Sequence, residues 1–151
     1  MLSATSDHAL RALLVLARAR RVMRADEIAK ATGAPQNYMA KTLNALARAG
    51  IVASARGPAG GFALAVPAAS LTLARVVDLF DTPRAQTRCM LGTVPCDPAH
   101  PCAAHDCWTR VMRARREPLL STTVADLLAG DAAISAAIPS REPIAATPSA
   151  A

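Results

Sequence analysis

Four prolines, Pro83, Pro95, Pro98 and Pro101, interrupt the chain between two helical patterns, so the span 83–105 cannot form one regular element. Whatever this chain folds into is built on either side of that stretch. The same region concentrates the reactive side chains. From Cys89 to Trp108 it reads CMLGTVPCDPAHPCAAHDCW and holds all 4 cysteines and two of the 3 histidines. A loop this long in a small protein is functional or disordered, and ordering it needs an internal staple. In a chain read as cytoplasmic, clustered cysteines suggest metal or redox chemistry ahead of structural disulfides.

Upstream, the pattern is that of a DNA-binding module. Ser6 to about Arg20 reads as a first helix, with Ser6 as N-cap, Asp7 in the first turn and Leu10, Leu13, Leu14 and Ala17 on one face. Arg24 to Thr32 is a short second helix, broken by Gly33-Ala34-Pro35. Gln36 to Ala49 is a third, with Met39, Leu43, Leu46 and Ala47 inward and Gly50 ending it. Two helices joined by a tight glycine-containing turn make a helix-turn-helix. The outer face of the third helix carries Gln36, Asn37, Lys41 and Asn44; Asn and Gln can pair with adenine, and Lys can reach guanine or phosphate. Equally, such a face can be simply solvated. Ile51 to Arg56, the turn GPAGG, and Phe62 to Val66 then read as a hairpin, placed where a winged helix carries its wing. Arg56 at its shoulder suits a minor groove, and Gly57, Gly60 and Gly61 allow a tight turn.

A fourth helix, LTLARVVDLF, is capped by Ser70 or Thr72 and ends near Phe80. Beyond the cysteine stretch, Asp106 to Arg116 is helical again, with Trp108, Val111 and Met112 as its apolar stripe and Pro118 expected to bend or end it. Thr123 to Asp126 looks like a capping box for a last short helix, VADLL, and after Gly130 the Ala, Pro and Ser composition predicts disorder. The expected organisation is a winged-helix DNA-binding domain over 1–82, a cluster-binding loop over 83–105, a dimerisation helix region over 106–129 and a disordered tail over 130–151. The fold class is mainly α, with a two-stranded β wing.

Composition narrows the partners. The formal charge of +6 favours a polyanion. One Trp, one Tyr and two Phe leave little aromatic packing, so pairing of two chains would bury surface that one cannot bury alone. No apolar run reaches the roughly 18 residues of a membrane span. The start is not expected to act as a leader peptide, since its basic residues follow the apolar stretch and Arg11 interrupts it. There is no GxSxG, P-loop or HExxH, so an enzyme is not expected.

Taken together, SDHALRALLVLA, the helix-turn-helix, AGIV, RGPAGGFALA, LTLARVVDLF, HDCW and TTVADLL resemble the NsrR/IscR (Rrf-two) family of bacterial transcription regulators over about Leu2 to Ala129. The resemblance implies a dimeric winged-helix protein paired through the long helix after the loop. It also implies an iron–sulfur cluster held by three loop cysteines and a fourth residue. By position the cysteines are Cys89, Cys96 and Cys102; Cys107 is extra to the usual pattern. In members resembling IscR the fourth ligand of a 2Fe–2S cluster is a His three residues after the third cysteine, where His105 stands. In members resembling NsrR it is an Asp near the start of the first helix that reaches a 4Fe–4S cluster in the other subunit, where Asp7 stands. His105 and 2Fe–2S are favoured because His105 shares the local frame of the cysteines; Asp7 and Cys107 are the rivals.

Thiolates suit iron–sulfur clusters or zinc, and a neutral ligand replacing a thiolate raises a cluster's potential. The spacing Cys-x6-Cys-x5-Cys-x2-His departs from the short paired spacings of zinc modules. The expected function is a homodimeric regulator, taken as a repressor, that binds a palindromic operator in double-stranded DNA. Its cluster would sense nitric oxide, redox stress or iron and cluster supply. A zinc- or thiol-based winged-helix regulator is the alternative, and an electron-transfer protein ranks below it.

Overall fold

A computed structural model describes residues 2–57, 60–81, 97 and 99–135, the last five by backbone alone. The first helix, α1 (Ala4–Ala19), begins earlier than expected. Its cap is Ser3, whose hydroxyl accepts the Ser6 amide hydrogen at 3.1 Å, while Ser6 itself is buried inside the first turn. Both serines can cap; the extended backbone of Ser3 (φ −65°, ψ 157°) meets the N-cap geometry. Ala9, Leu10, Ala12, Leu13 and Leu16 of α1 point into the core. The alternation of small and large side chains lets neighbouring helices approach closely.

Helices α2 (Ala25–Thr32) and α3 (Gln36–Arg48) follow as a helix-turn-helix. Gly33 closes α2 in the left-handed region (φ 70°), where an L side chain would be strained. Ile28, Met39, Leu43 and Leu46 pack beneath α1 with no more than a trace of exposure. Strands β1 (Val52–Ala55) and β2 (Gly61–Leu64) pair antiparallel, Val52 opposite Leu64 and Ala55 opposite Gly61. The hairpin is also tied back to the α1–α2 connection. The Met23 amide donates to the Phe62 carbonyl at 2.9 Å, and the Phe62 amide donates to the Met23 carbonyl at 2.7 Å. A Cβ at Gly61 would lie 2.5 Å from the Met23 carbonyl oxygen, so this approach requires glycine.

After a 3-10 turn (Ala68–Ser70), Thr72 caps α4 (Leu73–Phe80), which buries Leu73, Ala74, Val76 and Val77. The long helix α5 (His105–Ser121) runs through Pro118 rather than ending near Arg116. Proline forfeits one intrahelical donor, yet the Thr122 amide still bonds the Pro118 carbonyl at 3.0 Å. A single antiparallel bridge, Thr72 to Thr123, pins the end of α5 to the start of α4. The Leu73 amide donates to the Thr122 carbonyl and the Val124 amide to the Leu71 carbonyl, each at 2.9 Å.

The capping box forms as expected: Asp126 accepts from the Thr123 amide at 2.8 Å while Thr123 Oγ1 accepts from the Asp126 amide at 3.2 Å. The Thr123 hydroxyl also donates to the Asp126 carboxylate at 2.6 Å, and this bond first, then that of the Thr123 amide, holds the carboxyl below its usual range. Helix α6 (Val124–Ser135) then passes Gly130, where disorder was expected to begin. One glycine inside a helix costs only about 1 kcal/mol, and the alanines after it propagate the turn. Val124 is fully buried and Leu127 packs against the same core, so α6 closes a flank of α1. Among the described residues, no helix is long and apolar enough to cross a membrane.

Candidate nucleic-acid interface and metal centre

Helix α3 separates two faces. Met39, Thr42, Leu43 and Leu46 are buried, whereas Gln36, Asn37, Lys41 and Asn44 are all exposed. Asn37, Lys41 and Asn44 repeat at helical spacing, and Arg48 continues the stripe one turn on. Sequence reasoning passed over Arg48; its offset of four from Asn44 would have found it. Lys41, Arg48 and Arg56 make no ion pair among the described residues. By contrast, Arg21 is committed to Glu27 at 3.0 Å. Glu27 also accepts the Arg24 amide at 2.7 Å, and these bonds, Arg21 first, hold its carboxyl below the usual range.

Gln36 at the start of α3 and Gly57 at the tip of the wing line one cleft of about 380 Å³, together with Arg24, Gly60 and Phe62. The recognition-type helix and the hairpin therefore open toward the same space. Arg24, also missed from the sequence, stands there beside Asp26 at 3.4 Å. Arg56 and Gly57 are exposed on the shoulder of the hairpin.

The seating of α3 depends on Tyr38. Its hydroxyl hydrogen-bonds Thr5 in the first turn of α1, and its ring meets His8 edge-on, centroids 5.4 Å apart. Nδ1 of His8 is buried with no hydrogen-bond partner among the described residues. Sequence reasoning did not single out Tyr38.

Of the four candidate metal ligands, Cys102 and His105 are described, and Cys89 and Cys96 lie outside the described residues. Cys102 is exposed and His105 half-buried. The His105 amide donates to the Cys102 carbonyl at 2.9 Å, which places the two residues in one turn at the head of α5. Cys107, exposed, is in the first turn of that helix. Among the described residues, no three His, Cys, Asp or Glu side chains gather closely enough to hold a metal. His100 is engaged by Asp97, Nδ1 to Oδ2 at 2.9 Å; that bond, with the Ala99 amide, holds the Asp97 carboxyl below its usual range.

The rival ligand Asp7 lies on α1, bound to Arg11 at 3.0 Å. The start of its helix is tied to the end of α4: the Ser3 amide donates to Asp81, the residue that caps α4, at 3.3 Å. An Rrf2 family model, described as an iron-dependent transcriptional regulator, matches residues 2–130.

The chain belongs to the Rrf2 family.

Relatives and solved structures agree. An HTH-type regulator of Aquifex aeolicus is 33% identical over 129 residues, covering 83% of this chain and 90% of that protein. The structure of CymR, the global cysteine regulator of B. subtilis, aligns with a TM-score of 0.71 at 24% identity, over 85% of this chain and 96% of that one. T. potens IscR aligns at 0.70 and 22%, over 93% of each. This Rrf2 protein is a DNA-binding transcriptional regulator with a winged helix-turn-helix fold, and not an enzyme.

Proposed function

We propose that this Rrf2 regulator is a cytoplasmic homodimeric repressor that binds a palindromic operator. Its grip on DNA is set by an iron–sulfur cluster held by Cys89, Cys96, Cys102 and His105. The observation that carries the reading is the Cys102–His105 turn at the head of α5. The last two residues of the ligand series sit where the long helix starts, so their ligation bears directly on α5. Thiolate and imidazole are a donor set suited to such a cluster, which supplies a redox-sensitive staple when bound.

The chain's own residues relay the consequence. Arg116 of α5 holds Asp78 of α4 in a two-pronged ion pair. The Thr72–Thr123 bridge joins the end of α5 to both α4 and α6. Two α3 helices related by a two-fold axis reach successive major grooves about 34 Å apart, so a small rotation of α5 alters the fit. Gln36, Asn37, Lys41 and Asn44 contact bases or phosphates, and Arg56 with Gly57 contacts the minor groove. The 2Fe–2S form goes with His105; a 4Fe–4S form would draw on Asp7 of the partner subunit, whose counterpart here is held by Arg11. Nitric oxide, redox stress and iron or cluster supply are the signals such a centre reads.

A second reading keeps the DNA function and replaces the cluster with zinc or with thiol oxidation. Its support is exposed Cys107, one turn from Cys102, and a fold shared with a protein named as a cysteine regulator. Purification without oxygen, with visible absorption and iron, sulfide and zinc analysis, separates the two. A brown protein containing iron and sulfide is expected. A colourless protein with zinc, or with no metal after reconstitution, rejects the cluster and leaves the winged-helix binder standing.

A further inference from the structure

An open cavity of about 710 Å³ lies between the end of α1, the α1–α2 connection, β2 with the turn after it, and the start of α6. None of the candidate DNA or cluster residues lines it. Leu16, Val22, Leu64, Val66 and Leu128 form the apolar part of a mixed lining, and Val22 is 44% exposed to it and to solvent. A volume of this order is typical of small-molecule sites, roughly 300–1,000 Å³.

Two arginines line the cavity, in different states. The Arg21 guanidinium is spent on the Val22 carbonyl and on Glu27, each at 3.0 Å. Arg20 makes no ion pair or side-chain hydrogen bond among the described residues. It is also the one non-glycine residue among them with a positive φ, 48°, fixed there by its amide bonding the Leu16 carbonyl at 3.1 Å. This is the left-handed residue that ends α1, and it fixes where the Arg20 side chain leaves the helix. A mixed lining with an apolar wall and a cation that is uncommitted among the described residues narrows the ligand. A neutral hydrocarbon would cover Arg20 without satisfying it, and a polyanion would leave the walls unmatched.

We infer that this cavity binds a small organic carboxylate with an apolar body. The carboxylate takes a charge-assisted hydrogen bond from Arg20, and the apolar body lies against Leu16, Leu64 and Leu128. The position makes it an effector site. Val22 adjoins Met23, whose bridge to Phe62 holds the hairpin, and Leu64 is itself a hairpin residue.

The test is calorimetric titration of the full chain with sodium octanoate and, separately, octan-1-ol, with amide hydrogen exchange on the same samples. Saturable binding of octanoate at one per chain is expected, at least about tenfold tighter than octan-1-ol. Slower exchange should be confined to the end of α1, the α1–α2 connection, β2 with the turn after it, and the start of α6. Arg20→Gly keeps the left-handed backbone without strain, so its circular dichroism should match the wild type while octanoate binding falls about tenfold or more. No saturable binding at millimolar octanoate overturns the inference. So does equal binding of the alcohol, equal binding by a folded R20G chain, or protection elsewhere in the molecule. Ala125→Phe, which fills the chamber from α6, should abolish binding on its own.

Discussion

Helices α1 and α5 are nearly equal in length, 16 and 17 residues, yet α1 buries Ser6, Ala9, Leu10, Ala12, Leu13 and Leu16 while α5 buries none. On α1, alanine and leucine alternate around a face that α2, α3, α4 and α6 all cover. On α5, the arginines leave one thin seam against α4, formed by Met112, Arg116 and Leu119 over Val77, and Val111 and Leu120 remain about half exposed (51% and 52%). A helix with apolar side chains outside its own fold has surface to share. The DNA-reading half completes its core within one chain. The long helix does not, which is the physical case for the pairing proposed above.

The contrast can be broken first at the core. Leu43→Ala, fully buried in α3, should cost about 2–5 kcal/mol in denaturant unfolding, against less than about 0.5 kcal/mol for Val111→Ala in the dissociated chain. Equal costs would mean that α5 is as integral as α3. Val111→Asp sharpens the same point. Sedimentation equilibrium should show the dimer weakened by about a hundredfold, near 3 kcal/mol, with unchanged helix content. A dimer as tight as before would move the pairing surface off α5.

The exposed face of α3 and the hairpin come next. Arg56→Ala and Lys41→Ala should each weaken operator binding by about 1–3 kcal/mol without loss of fold. A salt slope lower by about 1 would mark Lys41 as a phosphate contact, and relaxed base preference would mark it as a reader.

A small effect is expected at the α4–α5 tie. Arg116 bonds Asp78 and holds its carboxyl below the usual range. A carboxyl whose folded pKa is depressed stabilises the fold above its unfolded pKa and loses that contribution as pH falls through the folded value. Both side chains are about one-third exposed (33% and 38%), so solvent screening keeps the contribution under about 1 kcal/mol. Asp78→Asn should therefore lower stability slightly at neutral pH, with the difference from wild type closing below about pH 4.

Local signals carried most of the fold. Gly33, Gly50, the apolar spacing of α3, the hairpin between Ile51 and Val66 and the Thr123–Asp126 box each act over a few residues, and each is visible in order along the chain. What escaped was set by partners far apart in sequence. Nothing near Met23 announces its bridge to Phe62, and nothing near Thr72 announces Thr123. Pro118 reads as a helix end because its lost donor is local, whereas the bridge that holds the turns after it is not. Ser3 took the cap from Ser6 because the core had a place for Ser6. At the candidate site, residue type and helical offset mark the exposed stripe of α3 from Gln36 to Asn44, and Arg48, an arginine at a helix end where a cation is expected anyway, does not stand out from it. Tyr38 gave no periodic signal at all, since its role is defined by Thr5 and His8 on another helix. Cys102 and His105 were legible as a spacing, and their shared turn is a property of where α5 begins.

One feature of the core bears on how the protein is made. Val124 and Leu127 close the flank of α1, yet they are separated from it by more than a hundred residues of chain. During synthesis the first helix, the helix-turn-helix and the hairpin can assemble as they emerge, whereas one flank of the first helix waits for the sixth. Until α6 arrives, the nascent chain shows a sticky flank beside a finished DNA-reading surface. Translation that stops short of Val124 thus yields a fragment with its reading head intact and one flank of its first helix uncovered, a product for chaperones or proteases rather than for an operator.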